Sequence, residues 1–534
     1  MIRKFLRITA LVLTLCLLLT GCSLLDTLWD LASIYGLVTT SFQDMVYTRP
    51  VLSDMEEALE NCTRLSQSTD DVNKLMDAIY GFYDQYDLFH TNYVLSDIHY
   101  SCDITDEYWK EEYAFCAEAE PTVEALLEQM FCTLADSPLR EELEQGDFFG
   151  TGFFDDYEDD PVMDQRFVEL MEQEAALENR YYDLTNQYTS SDFIEDESIY
   201  RQAAELYVEL IRLRQEIAGY LGYPDYPELA YDLYYSRDYH PAEAERYMQR
   251  IGQVLYEPYV QLENASIWEE AFEYADEKET FRYVEKAAAA MGGTVEEAFS
   301  LLKRNDLYDI SYSDVKMDTS FETYIWNYYA PFVFVNPYLD HTDKLTFAHE
   351  FGHFAADYAC SGTYSGIDIA EVHSQAMEYL TLCYNPDSQM VTRYKLADSL
   401  CTYMEQSAYS LFEHRVYDLQ GEELTVENVE ALYEQIGTQF GFNFEKWETR
   451  EYVNILHLYT EPMYMISYVV SNDLALQFYQ MELEEAYSGL ELYEQSLTSQ
   501  ESYILTFAKD YGLKSPFDPS RPEELRVLFE NAAI

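Results

Sequence analysis

Glycine and proline are scarce, 19 and 15 in 534 residues, too few for the dense turns of an all-β chain of this length. Positive charge is scarce too: 32 Lys+Arg stand against 100 Asp+Glu, a formal net charge of -68. A chain so poor in cations has no footprint for a phosphate backbone, which argues against nucleic acid as a partner, and no charged face for anionic lipid. The cysteines form no CxxC pair and no zinc-ribbon spacing. Low-complexity stretches and internal repeats are absent, and after the first two dozen residues no long apolar run recurs. Aromatic residues, by contrast, make up 16% of the chain, with 51 Tyr, and the hydrophobic fraction is 48%. That is ample apolar surface to bury, so the charge does not imply disorder. The length suffices for two lobes. A mainly α, acidic body is expected.

The first residues stand apart from that body. Arg3, Lys4 and Arg7 precede an apolar run over 8–19, which has the length of a signal-peptide core and is short for a membrane span. It ends in Leu19-Thr20-Gly21-Cys22, which resembles the lipobox of bacterial lipoproteins. The resemblance implies cleavage before Cys22, lipid on its sulfur and an extracytoplasmic location on the cell membrane. Removing residues 1–21 takes away three positive charges and moves the formal charge from -68 to -71. Seven cysteines then remain besides Cys22: Cys62, Cys102, Cys116, Cys132, Cys360, Cys383 and Cys401. Export permits disulfides, but an odd number cannot all pair and no pairing follows from their spacing.

Along the chain, Leu24, Leu28, Leu31 and Tyr35 recur at helical spacing, so 22–45 reads as a membrane-proximal helical segment. Helical patterns run from about 51 to 145, for example over 56–62 and 122–134. A break follows at 146–161, where Asp155, Asp156, Glu158, Asp159 and Asp160 cluster. They lack the alternation of a calcium loop and read as a solvated turn. A helical pattern resumes near Phe167, continues through 200–220, and is stopped by Gly222-Tyr223-Pro224. Phe332-Val333-Phe334-Val335, followed by Asn336-Pro337, reads as a short strand, either a core strand or an edge strand able to pair with an extended peptide. The rest reads as helix.

His349-Glu350-Phe351-Gly352-His353 is the most informative pentapeptide. On a helix, residues four apart share a face, so both imidazoles can meet one cation while Glu350 projects beside it. Apolar neighbours on both sides fit a buried helix. Gly352 costs a helix about 1 kcal/mol, which implies that something approaches closely there. A catalytic Zn²⁺ takes three protein ligands and keeps one position open. The candidates for the third are Asp357, Asp368, Glu371, His373 and Glu378. Asp357 lies one turn past His353 and cannot easily swing round the ion. A loop containing Gly362 and Gly366 precedes a second helix that begins near Asp368, whose side chain suits a cap. Glu371 and Glu378 share a face of it, and His373 is the better average zinc ligand. Periodicity does not choose among them.

Two stretches resemble the oligoendopeptidase F and thimet oligopeptidase family of zinc peptidases: 345–353, around the pentapeptide, and Asp368-Ile369-Ala370-Glu371-Val372-His373-Ser374-Gln375-Ala376-Met377-Glu378. A third, 457–468, resembles the family's late helix, and a fainter likeness begins near Arg214. The loop between the first two stretches is shorter here than in the thimet branch. The resemblance implies that His349, His353 and Glu371 hold one Zn²⁺ per chain, that Glu350 is the general base for a zinc-activated water, and that His457, Tyr464 and Tyr468 reach the substrate and its oxyanion. From the residues alone, Thr460 would cap a helix opened by Pro462, and Tyr464 and Tyr468 would share its face. Glu378 reads either as a group that orients a metal-bound histidine or as a capping or surface residue.

We therefore expect a mainly α fold with two helical lobes around a deep substrate channel and a small β-sheet beside the helix of His349. The expected divisions are a signal peptide over 1–21, a membrane-proximal segment over 22–45, a helical lobe over 46–200 and a catalytic domain over 201–534. The resemblance implies a zinc endopeptidase acting on short oligopeptides at the outer face of a membrane, anchored there by lipid on Cys22. The charge favours neutral or basic peptides at low salt. The rival reading is a lipid-anchored peptide-binding protein, for which Glu350 would be superfluous.

Overall fold

The computed structural model describes residues 40–532 apart from 147, 158–164, 186, 263–265, 363–365, 386–387 and 445–447. The signal-like segment, Cys22, most of 22–45, residues 158–160 of the acidic cluster and 363–365 of the loop lie outside them.

Three helices open the body: α1 (Leu52–Ser68), α2 (Val72–Cys102) and α3 (Glu107–Ala135). They pack on one another around a core of their own that includes Met55, Leu59, Phe82, Val123, Phe131 and Phe154. The aspartates before α2 and α3 cap them, Asp71 accepting from Asn73 and Asp106 from Tyr108 and Trp109. From α4 (Gln165–Thr185) and α5 (Glu197–Tyr220) onward, the buried side chains belong to one larger core. The helical run expected from Phe167 to Tyr220 is interrupted between α4 and α5, where Asp196 caps the second helix through Ser198 and Ile199.

After α6 (Glu277–Met291) and α7 (Gly293–Arg304) come the strands β1 (Tyr308–Asp309), β2 (Ser320–Ile325) and β3 (Ala330–Val335). Their order is β1-β3-β2, with β1 parallel and β2 antiparallel to β3. The 332–335 run is thus a central strand and not an edge. Its apolar residues are continuous rather than alternating because both of its faces are covered. The C-terminal end of α2 docks against this sheet region: the amide of Met317 donates to the carbonyl of Ser101, and that of Asn327 donates to Thr91 Oγ1 at 2.9 Å.

The remaining helices used below are α8 (Asp343–Cys360), α9 (Ile367–Tyr384), α10 (Gln389–Cys401), α11 (Ser407–Val416), α12 (Leu456–Thr460) and α13 (Ile466–Glu484). Helix α8 lies against β2 and β3, and α9 is packed between α8 and α13. Most residues of α9 and α13 are buried, on all sides of each helix. Such helices sit in the middle of a core, without a solvent face. Among the described residues no helix is long and apolar enough to cross a membrane, and no disulfide joins any of the seven cysteines from Cys62 to Cys401.

Candidate metal centre

The site begins with the close approach of α8 and α9. A Cβ added to Gly352 would lie 2.5 Å from the Cα of Ser374 and 2.8 Å from the carbonyl oxygen of His373. The glycine is therefore required by the neighbouring backbone, as its presence mid-helix implied. This contact occurs between His349 and His353 on α8, and just past Glu371 on α9. It brings the three side chains together: one ligand-type atom from each of His349, His353 and Glu371 lies within 4.8 Å of the others. Glu371 Oε2 is 3.3 Å from His349 Nε2 and 3.9 Å from His353 Nε2.

The partners of each group fix its orientation and charge. His349 uses its other nitrogen, Nδ1, on Glu378 Oε1 at 2.9 Å. Glu378 is held in turn by the buried Lys395 of α10, with Nζ 2.8 Å from Oε2. Burial opposes the charge of Glu378, but Lys395 and His349 outweigh it and hold the carboxyl below its ordinary range. Burial likewise opposes a charged His349, and Glu371 and Glu378 outweigh it. His353, with less compensation, is pushed down to about 4 by burial and is a neutral imidazole. Glu371 accepts from Tyr464 Oη at 2.6 Å and from Ser374 Oγ at 3.0 Å. Against the cost of burial, the two histidines and this phenol bring its carboxyl down to about 2. Glu350 is buried beside them, and burial raises it to about 7.

The third stretch approaches from the other side of Glu371. The rings of His457, Tyr464 and Tyr468 form a triangle with centroids 5.1, 5.8 and 5.2 Å apart. Tyr468 Oη lies 3.4 Å from His457 Nε2. Burial pushes both phenols well above the usual tyrosine range, with Glu371 adding to the shift, so both are proton donors at neutral pH.

Several local expectations differ from the structure. Helix α12 ends at Thr460, whose hydroxyl bonds back to the carbonyl of Leu456, and Pro462 lies in the turn that follows. Helix α13 opens only at Ile466, so the two tyrosines meet because Met463 takes φ 69° in that turn, and not because they share a helical face. Asp368 does not cap α9. The cap position is Gly366, and the Asp368 carboxylate accepts from Ser467 Oγ at 2.5 Å and Tyr239 Oη at 2.9 Å. His373 faces away from the cluster, packed on Tyr493 and Phe507 with Nε2 3.3 Å from Ser496 Oγ. Lys395 escaped the sequence reading. Its one signal is a lysine four residues from Val391 and four from Ser399, all on one buried helical face.

Comparison with known proteins bears on the fold. Residues 42–160 match the profile of the Peptidase M3 N-terminal domain. No curated protein sequence matches the chain. Among solved structures, PZ peptidase A with an inhibitor is 20% identical, with a TM-score of 0.79 over 92% of this chain and 99% of its own. A Bacillus anthracis protein assigned as an oligoendopeptidase F is 22% identical, with a TM-score of 0.76 over 92% of this chain and 98% of its own. Oligoendopeptidase F from Enterococcus faecium is 15% identical, with a TM-score of 0.58 over 90% of this chain and 96% of its own. At these identities the structural likeness establishes the fold.

Proposed function

We propose that this chain, whose residues 42–160 match the Peptidase M3 N-terminal domain and whose fold is that of the oligoendopeptidase F structures, is a peptidase of that family: a zinc-dependent endopeptidase that hydrolyses short oligopeptides. The observation that carries the reading is the convergence of His349, His353 and Glu371 with the buried Glu350 between the two histidines in sequence. Two imidazole nitrogens and one carboxylate are a donor set suited to a single Zn²⁺ with one position open. The hold of Glu378 on His349 Nδ1 turns Nε2 towards Glu371. Bound there, zinc supplies a Lewis acid for the scissile carbonyl and lowers the pKa of water towards neutrality.

The chain's own groups do the rest. Glu350 takes a proton from the attacking water and passes it to the leaving amine. A carboxyl raised to about 7 by burial is a stronger base than an exposed one. Tyr468, kept protonated by burial and supported by His457, donates to the carbonyl oxygen as it gains negative charge, and Tyr464, whose single proton is held by Glu371, joins it only by releasing that bond. The imidazoles of the cluster are about a fifth exposed, 21% and 18%, so an extended peptide has access to them.

Protein purified from Ser23 onward is expected to contain about one zinc and to cleave quenched fluorescent peptides of about 5–15 residues, with loss on chelation and recovery on adding zinc. Zinc binds neutral imidazoles, so protons compete with it for His349 and His353. A chelator should therefore strip the metal faster as pH falls from 7.5 to 5.5. Full activity in protein verified to hold no divalent metal would refute the assignment.

We also propose that the enzyme works at the outer face of a membrane, tethered by lipid on Cys22. Cys22→Ala should move the protein from the membrane fraction to the soluble fraction in its own host or a comparable bacterium. Unchanged membrane association would sink the tether.

A further inference from the structure

A buried polar assembly lies behind the catalytic-side turn, and its centre is Arg237. The arginine follows a single π-helical turn (Ala230–Tyr234), and the intervening Ser236 has φ 46°. A serine keeps that left-handed conformation only when its surroundings hold it. The Arg237 side chain is 1% exposed. Nη1 donates to the carbonyl of Met463 at 2.9 Å and Nη2 to Ser467 Oγ at 2.8 Å, while Nε lies 3.5 Å from Asp368 Oδ1. The rings of Tyr231 and Tyr235 flank the guanidinium at 4.4 and 4.3 Å. Tyr235 Oη adds a bond to the carbonyl of Pro462 at 2.9 Å.

Pro462, Met463 and Ser467 bracket Tyr464, and Asp368 is three residues before Glu371 on α9. Arg237 and Asp368 thus tie the turn that carries Tyr464 to the helix that carries Glu371. The outcome is the 2.6 Å bond between Tyr464 Oη and Glu371 Oε1. A second carboxylate, Glu413, is fully buried near Arg214 and Arg237. Burial raises it to about 8, and the carboxylate beside the Arg237 guanidinium is that of Asp368.

We propose that Arg237 is a positioning residue: it locks the 462–467 turn to α9 and so sets the Tyr464 phenol against Glu371, the carboxylate expected to hold the metal. This inference rests on the peptidase reading above. The geometry needs a fork, since one side chain bonds a carbonyl and a hydroxyl at once, while its Nε, without a hydrogen-bond partner of its own, pairs with the Asp368 carboxylate by charge. Lysine keeps the charge but not the fork, so Arg237→Lys separates positioning from simple charge compensation.

The test compares wild type, Arg237→Lys, Tyr464→Phe and the double variant, each with verified zinc content and cooperative unfolding. Arg237→Lys is expected to lower kcat at least about 10-fold with KM within about threefold, the signature of a group acting on the transition state. Added to Tyr464→Phe, it should cost less than about threefold more, because the phenol it positions is already gone. Multiplying effects, or wild-type kcat in Arg237→Lys, would overturn the proposal. If Arg237→Lys fails to fold, Ser467→Ala removes one of its acceptors with the loss of a single hydroxyl and carries the same comparison. A readout apart from turnover is the d–d absorption band of the Co²⁺-loaded protein, which should shift in Arg237→Lys as it does in Tyr464→Phe. Inactive wild-type protein would sink the peptidase reading alone, while an unmoved Co²⁺ band in Arg237→Lys would sink this one.

Discussion

Glu350→Gln should retain zinc at wild-type stoichiometry and hydrolyse peptides about 10³-fold more slowly, with KM little changed. Glutamine keeps the shape of the side chain and cannot take up a proton, and general-base catalysis contributes about 10²- to 10⁴-fold. None of the three clustered ligands is touched, so the metal stays. A loss confined to kcat means that the missing interaction belongs to the transition state. The result also separates an enzyme from a peptide-binding protein, whose affinity would survive the change and which would have had no turnover to lose. If kcat remained within tenfold of wild type, the base would lie elsewhere. The nearest alternative is Asp357, two turns along α8, which burial also raises to about 7, and Asp357→Asn would be the next variant.

How far the sequence led depended on whether chemistry or packing made the decision. The His349 and His353 pair was legible because two ligands four apart on a helix leave a strict signature. Gly352 was legible because glycine mid-helix is costly without a reason. The choice between Glu371 and His373 was not legible from periodicity. Residues two positions apart on a helix are rotated about 200° from one another, and only the packing of α9 between α8 and α13 decides which faces the histidines. His373 is taken by Tyr493, Phe507 and Ser496, none of which any local pattern connects to it.

The misreadings have a common cause. Asp368 resembles a cap, and Thr460-Glu461-Pro462 resembles a helix start, because each has the right residue types at the right spacing. Tertiary partners override both. Asp368 is recruited by Ser467 and Tyr239, and Arg237 and Tyr235 hold the Met463 and Pro462 carbonyls in a turn. Arginine 237 itself carried no local mark, since an arginine among tyrosines reads as a surface residue until the burial is known. The 332–335 strand leaned on a different ambiguity. An unbroken apolar run fits any buried strand, and its central place follows from β1 and β2 on either side.

Gly352→Ala should lower stability steeply and release zinc, although the same substitution in an open helix would stabilise it by about 1 kcal/mol. The sign turns on what the new methyl meets. A flexible side chain could move aside, but the nearest atoms are backbone: the Cα of Ser374 at 2.5 Å and the carbonyl oxygen of His373 at 2.8 Å, with the Cβ of Met377 at 3.0 Å. Both helices are buried along this contact, so neither can yield by moving into solvent. Overpacking of a tight core costs about 1–3 kcal/mol where side chains can adjust, and more where they cannot, so the propensity gain is outweighed. The helices then separate where His349 and His353 face Glu371, and gaps of 3.3 and 3.9 Å between ligand atoms widen together. Zinc affinity should therefore fall along with the melting temperature, and Gly352→Val should be worse on both counts. A Gly352→Ala protein that melts at or above the wild-type temperature and still binds zinc stoichiometrically would mean that the α8–α9 contact is looser than these distances, and that the ligand triad does not depend on it.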